Sequence, residues 1–327
     1  MKSILITGGC GFIGSHFVEH VFKYTDWKII VLDKLTYASK GFERLRDSGM
    51  LNSVRVKVYT CDLSYPISDG LIREIGYPDI IVHMCAETHV DNSILNPSFC
   101  IKNNVMSTVN ILEYARLVKP ERFFYFSTDE VFGPAPKGVE YLETDSHNPT
   151  NPYSASKSAG ESISLAYLNT FKVPVIIVNV MNAFGERQHV EKFIPKCIKM
   201  ILNNERIPIH ADAECKKAGS RFYIHARNIS SAVLFLIDRG VIGEKYNISG
   251  EKEVDNLELA QTIAKILGKP FSYDLINFHE SRPGHDLRYC LNGEKLWNLG
   301  WKLPVSFEDS LKKTIEWTLK NQEWLED

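Results

Sequence analysis

The chain has no run of about 18 consecutive apolar residues, the length a membrane-spanning helix needs. The apolar N-terminal run Ile4-Leu5-Ile6 is too short for a signal peptide and leads straight into glycines. These absences, with the cysteine usage, predict a cytoplasmic protein without membrane contact. A surplus of either charge is missing too: 38 basic residues face 40 acidic ones, a formal net charge of −2. No run of like charges is long enough for an interaction tail, which argues against a nucleic-acid partner. Cys10, Cys61, Cys85, Cys100, Cys197, Cys215 and Cys290 are odd in number and contain no Cys-x-x-Cys pair. They read as small core residues in a reducing compartment, not as disulfides or a zinc site. The ten histidines lack ligand spacing, so no metal is expected. His83 and His89 flank a strand end and read as structural or supporting groups. Repeats and low-complexity tracts are absent.

What is present is a regular alternation. Apolar runs at Ser3–Thr7, Lys28–Leu32, Val54–Thr60, Asp79–Met84, Arg122–Ser127 and Pro174–Val180 predict strands. Helical periodicity appears at Ile13–Tyr24, Asn103–Leu117 and Tyr153–Phe171. This order predicts an α/β protein: a Rossmann-like, doubly wound parallel sheet with a smaller C-terminal substrate-binding lobe. The expected division is 1–180 for the sheet domain and, mostly, 181–327 for the lobe. The segment Tyr246–Ile248 is expected to return to the main sheet. Ligands in such folds bind beyond the carboxyl ends of the strands, where Asp33, Asp62, Ala86 and Thr128-Asp129-Glu130 fall.

The segment Thr7-Gly8-Gly9-Cys10-Gly11-Phe12-Ile13-Gly14 follows one predicted strand and opens a helix. Its glycines allow a tight turn and close approach to a pyrophosphate facing the helix N-terminus. Asp33 ends the next strand, where an acid accepts hydrogen bonds from a ribose 2′-hydroxyl and repels a 2′-phosphate. That pattern predicts NAD rather than NADP. Further on, Tyr153 and Lys157 lie four residues apart at a predicted helix start, on one helical face. A lysine ammonium near a phenol is expected to lower its pKa and ready it to take a proton from a sugar hydroxyl.

The glycine motif, Tyr153-x-x-x-Lys157 and Thr128 resemble the extended short-chain dehydrogenase/reductase superfamily. Finer matches run along the chain: "VLDKLTYAS" (31–39), "HMCAETHVDNSI" (83–94), "STDEVFG" (127–133), "NPYSASKSAGE" (151–161), "EKFIP" (191–195) and "SRPGHDLRY" (281–289). Together they resemble the nucleoside-diphosphate-sugar 4,6-dehydratases. The resemblance implies oxidation at C4 of the hexose, elimination of water across C5 and C6, and return of the hydride to C6. NAD would stay bound through turnover. Thr128 would share the C4-hydroxyl contact with Tyr153, Glu130 would abstract the C5 proton, and Asp129, kept protonated, would donate to the departing hydroxyl. Two neighbouring carboxylates tend not to ionise together, which suits that division.

By the same resemblance, the cofactor contacts are Gly8, Gly11, Phe12, Ile13, Gly14, Asp33, Lys34, Thr36, Asp62, Leu63, Ala86 and Asn104, with Tyr153 and Lys157. The substrate contacts are Thr128, Asn182, Glu191, Lys192, Arg221, Arg282 and His285. A homodimer through the Asn103–Leu117 and Tyr153–Phe171 helices is also implied. Three departures fall in the substrate lobe. The family's usual Asn-Asn-Tyr-Gly reads Asn182-Ala183-Phe184-Gly185, its proline before Glu-Lys is Val190, and a short glycine-bearing loop is replaced by His210–Gly219. They leave the nucleobase open. The rival expectations are a nucleotide-sugar 4-epimerase or decarboxylase on the same scaffold, and a non-catalytic NAD-binding protein. The Thr-Asp-Glu sequence argues against the first two, and the joint presence of Thr128, Asp129, Glu130, Tyr153 and Lys157 against the third.

Overall fold

The computed structural model describes residues 1–277 and 287–326. Seven parallel strands form the main sheet in the order β10-β6-β5-β4-β1-β2-β3. They are β1 (Ser3–Thr7), β2 (Lys28–Asp33), β3 (Val56–Thr60), β4 (Ile80–His83), β5 (Arg122–Thr128), β6 (Val175–Val180) and β10 (Lys245–Ile248). Side chains alternate across a strand, so Ile4 and Ile6 face one layer of helices and Leu5 the other. The first layer holds Phe12–Tyr24 and Ala226–Arg239, through Phe17, Val18, Val233 and Leu236. The second holds Pro97–Val118 and Pro152–Phe171, through Ile111, Leu112 and partly buried Ile163. Each fully buried Leu, Ile or Phe contributes roughly 1.5–3 kcal/mol.

Two helix starts fix the site. Asn96 caps the Pro97–Val118 helix by accepting from the Phe99 N–H. That helix begins six residues before the expected Asn103, because Pro97 is well placed in a first turn, where its missing N–H is harmless. Asn151 caps Pro152–Phe171 through a reciprocal pair with Ser154, again with proline in the first turn. Gly160 lets this helix lie against β5: a Cβ there would sit 2.0 Å from the Tyr125 hydroxyl oxygen. That hydroxyl donates to the Lys157 carbonyl at 3.1 Å.

After β6 the chain builds a smaller core. β7 (Asn182–Phe184), β9 (Ser220–His225) and β11 (Glu253–Asp255) form a three-stranded sheet, and β8 (Arg206–Ala211) pairs with β12 (Ser272–Asn277). The helices Phe193–Leu202, Asn256–Leu267 and Phe307–Lys320 pack around Ile198, Ile207, Ile263 and Leu311. Not all of this half stays apart. β10 pairs with β6, and Ala226–Arg239 packs on Phe12–Tyr24 beneath the main sheet. All seven cysteines are free thiols. Among the described residues, no helix is long and apolar enough to cross a membrane, and no His/Cys/Asp/Glu group could hold a metal.

Candidate active site

The strand order reverses direction between β1 and β4, which opens a crevice at the carboxyl ends of the strands. A deep cavity occupies it. Its walls include Gly8, Gly11, Phe12, Ile13, Gly14, Asp33, Lys34, Thr36, Asp62, Leu63 and Ala86. Thr128, Asp129, Glu130, Tyr153 and Lys157 close the other end, with Asn182, Glu191 and Lys192 beside them. A second, more polar cavity adjoins it and shares Glu130, Asn182, Glu191 and Lys192 with the first. Arg221 lines the second cavity.

The glycine loop is tightly built. A Cβ on Gly14 would lie 2.1 Å from the Gly8 carbonyl oxygen, so only glycine lets the helix start so close to β1. Asp33 is buried, and its carboxylate accepts from the Cys10 N–H at 2.9 Å and the Leu35 N–H at 2.8 Å. Each oxygen keeps a lone pair for a further donor. Burial pushes its pKa up, against the pull of these bonds. Lys34 pairs with Asp62 at 2.9 Å. Four buried polar atoms on the cavity wall make no hydrogen bond among the described residues: Arg44 Nη2, Ser127 Oγ, Asp129 Oδ2 and Asn182 Oδ1. Such orphans are rare in folded proteins and mark this wall as one whose polar groups are not all paired within the chain. The glycine cradle and the acid at the end of β2, both on the cavity wall, fit a dinucleotide.

Asn104 is the exception among the expected cofactor contacts. It is buried away from the cavity wall and acts as a clamp. Its side chain accepts from the Glu87 N–H at 2.7 Å and donates to the Glu87 carbonyl at 3.0 Å and Ser156 Oγ at 2.9 Å. Arg282 and His285 lie outside the described residues. His83 is buried between Thr7 (2.8 Å) and Thr108 (3.2 Å) and is structural. His89 instead lines the second cavity, 3.7 Å from Glu191.

At the end of β5 the chain turns into a short 3-10 segment, Asp129–Phe132. Thr128 Oγ1 donates to Asp129 Oδ1 at 2.9 Å and accepts from the Glu130 N–H at 3.3 Å. Asn151 Nδ2 donates to Glu130 Oε2 at 3.0 Å. Asp129 is 4% exposed. Burial, then the Glu130 charge, raise its pKa to about 7. The neighbouring acid therefore contributes as expected, but desolvation is the larger cause.

The Tyr153–Lys157 pair departs from expectation. Burial, then the Glu130 charge, push the Tyr153 phenol up rather than down, with the Thr128 hydroxyl opposing. Lys157 is itself buried, which lowers its pKa to about 8, and its Nζ lies 4.4 Å from the centre of the Tyr125 ring. Spacing puts both residues on one face, but burial and the Glu130 charge set the direction of the Tyr153 shift.

Arg221 is buried, donates to the carbonyls of Ser220 (2.7 Å) and Leu287 (2.6 Å), and stacks over Tyr289 at 4.8 Å. Sequence reasoning missed other residues of this second cavity: His210, Tyr223 and Asn256. Tyr223 donates to Asn256 at 2.7 Å, across 33 positions of the chain. No local pattern signals such a pair.

The profile of the NAD dependent epimerase/dehydratase family matches residues 4–249. The chain belongs to that family. Within it, the chain is similar to the dTDP-glucose 4,6-dehydratase of Escherichia coli, 35% identical over 98% of this chain and 94% of that protein. It is also 37% identical to the Arabidopsis thaliana trifunctional UDP-glucose 4,6-dehydratase/UDP-4-keto-6-deoxy-D-glucose 3,5-epimerase/UDP-4-keto-L-rhamnose-reductase. That match takes in all of this chain but spans only 48% of the plant protein. Among solved structures, DesIV, a dTDP-glucose 4,6-dehydratase from Streptomyces venezuelae with NAD bound, superposes with a TM-score of 0.90. It is 33% identical, over 99% of both chains. The Thermus thermophilus UDP-glucose 4-epimerase has a TM-score of 0.86 over 96% of this chain and 98% of its own, but at 24% identity the likeness is one of fold.

Proposed function

We propose that the chain is a hydro-lyase that removes water from a nucleoside-diphosphate hexose of the glucose type, with NAD as resident cofactor, to give the 4-keto-6-deoxy sugar nucleotide. The observation that carries this reading is Asp129: a buried carboxyl with a raised pKa, one unpartnered oxygen and Glu130 beside it, on the same cavity wall as Tyr153. An epimerase needs no such acid.

On this reading Gly8, Gly11, Gly14 and Asp33 hold the NAD at one end of the cavity, and Lys157 holds it at the other. When bound, NAD accepts and returns a hydride and brings a positive charge beside the phenol. Tyr153 takes the proton of the C4 hydroxyl, with Thr128 orienting that hydroxyl. The resulting ketone acidifies the C5 hydrogen, which Glu130 removes; Asn151 fixes the Glu130 carboxylate for this. Asp129 gives its proton to the leaving C6 hydroxyl. Thr128 engages Oδ1, which leaves the buried Oδ2 without a partner. Arg221, with Asn182, Glu191 and Lys192, serves the diphosphate and sugar in the adjoining cavity.

The chain then works as two units: residues 1–180 with the returning β10 for NAD, and most of 181–327 for the nucleotide sugar. We also propose a homodimer through Pro97–Val118 and Pro152–Phe171, where Phe99, Ile101, Met106, Leu117 and Phe171 are exposed. Light scattering at micromolar concentration tests it: a dimer mass is expected, and a monomer contradicts it.

A panel of dTDP- and UDP-hexoses and hexuronates, resolved by chromatography with mass detection, tests the activity. Loss of one water from at least one substrate is expected. Conversion without mass change would make the protein an epimerase, and loss of carbon dioxide from a uronate a decarboxylase.

A further inference from the structure

Arg44 is the largest side chain that is fully buried among the described residues. A buried guanidinium is costly unless its N–H groups are bonded. Here Nε and Nη1 bond main-chain carbonyls of three different loops: Arg187 at 2.9 Å from Nε, and Ala38 at 2.7 Å and Cys10 at 3.5 Å from Nη1, while Nη2 is left without a partner. All three loops line the deep cavity. Cys10 sits in the glycine loop, Ala38 in the loop carrying Lys34 and Thr36, and Arg187 directly before Gln188. Arginine's planar fork spreads five donors over a wider span than the three of a compact lysine ammonium, which suits acceptors on separate loops.

The guanidinium is covered from behind. The Trp324 ring lies 5.5 Å from Arg44 Cζ, within cation–π range. Lys40 Nζ is 5.8 Å from the same ring and donates to the Glu326 carbonyl. Arg187 in turn lies over Trp317 at 5.6 Å and pairs with Asp47 at 2.5 Å. Trp324 is buried but lines neither cavity of the site. The segment that carries it is anchored in the smaller core through Leu325.

We propose that Arg44 is a positioning residue for the dinucleotide, and that residues 317–326 act as a latch that sets how slowly NAD leaves. The proposal rests on the reading that the deep cavity holds NAD. Three loops that must keep their shape around the cofactor meet on one guanidinium, and Trp324 keeps water from that guanidinium. Loosening the ring frees all three loops at once while leaving Asp129, Glu130, Tyr153 and Lys157 untouched.

The test uses the full-length protein. Trp324→Ala should raise the NAD dissociation rate roughly tenfold, the factor that loss of a desolvated cation–π contact would give. Turnover at saturating NAD should stay within about twofold of wild type. Hydrogen exchange should speed up in 34–47 and 185–192, not in 317–326 alone. Trp324→Phe, which keeps a ring face, should lie between alanine and wild type. An unchanged NAD off-rate, or faster exchange confined to 317–326, would overturn the proposal. Coupling between sites is reciprocal. So NAD added to nucleotide-stripped wild-type protein should slow exchange in 317–326 as well as in 34–47, a readout that needs no variant. Protection of 34–47 without 317–326 also overturns the latch. Failure of wild-type protein to bind NAD at all would count instead against the cofactor reading.

Discussion

Two buried carboxylates near the end of β5 behave in opposite ways. Asp129 has one hydroxyl donor and one unpartnered oxygen, and its pKa is pushed to about 7. Glu161 is fully buried, yet burial's upward push is overcome by the His147 hydrogen bond and the Lys245 charge, which bring its pKa to about 2. Lys245 Nζ is 2.7 Å away, His147 Nε2 3.3 Å, and Asn179 Nδ2 donates to it at 2.7 Å. Asn179 also donates to the Thr128 carbonyl at 3.4 Å, so the two environments touch. Burial alone decides neither role. A carboxyl in contact with cations stays ionised, and one whose closest charge is another carboxylate is shifted toward keeping its proton.

The largest effect should come from removing the acid. Asp129→Asn should lower turnover by about 10²–10⁴-fold, with little change in substrate binding, because an amide cannot donate the proton. Single-turnover mixing separates the steps: C4 oxidation should survive in this variant and in Glu130→Gln, while loss of water fails. Tyr153→Phe should stop oxidation itself. If both acid variants dehydrate at the wild-type rate, Asp129 and Glu130 take no part in the elimination.

Removing the anchor should act on stability instead. Glu161→Ala leaves Lys245 and His147 facing a buried space and should cost about 3–5 kcal/mol, read from urea unfolding. A variant as stable as wild type would mean the cluster is solvated.

The smallest effect is the sharpest discriminator. Asp129 binds its proton more tightly folded than unfolded, so its contribution to stability, read as wild type minus Asp129→Asn, should fall as pH rises from 3.8 to about 7. Above that range Asp129→Asn should be the more stable protein, by about 2–4 kcal/mol. Glu161 has the reverse sign. Its contribution is present above pH 4.5 and is lost as pH falls toward 2, where Glu161→Gln and wild type should converge. Urea unfolding across pH checks both, and parallel profiles would contradict the comparison.

The sequence announces one half of this pair more clearly than the other. Thr128-Asp129-Glu130 closes a strand, and the glycine motif, Asp33 and Tyr153-Lys157 sit at fixed offsets from strands and helices. Local periodicity therefore places them. Glu161 can be read as a helical residue one turn beyond Lys157, but its partners stand at 147, 179 and 245, and only folding brings them together. The same holds for Asn104, which reads as a ligand and is a clamp, and for His89 and Tyr223, which reach the second cavity from separate elements. The sign of the Tyr153 shift was hidden for another reason. Spacing shows that a lysine is near, but not that both groups are desolvated. Ala226–Arg239 returns to the main sheet because β10 does, a topological fact with no local signal.

The most direct test is a carbon-13 titration of the carboxyl groups in labelled protein, with Asp129→Asn and Glu161→Gln used to assign the two resonances. The account predicts that Asp129 titrates near pH 7 and that Glu161 stays ionised down to about pH 2–3. An Asp129 carboxyl already ionised at pH 5 would contradict it.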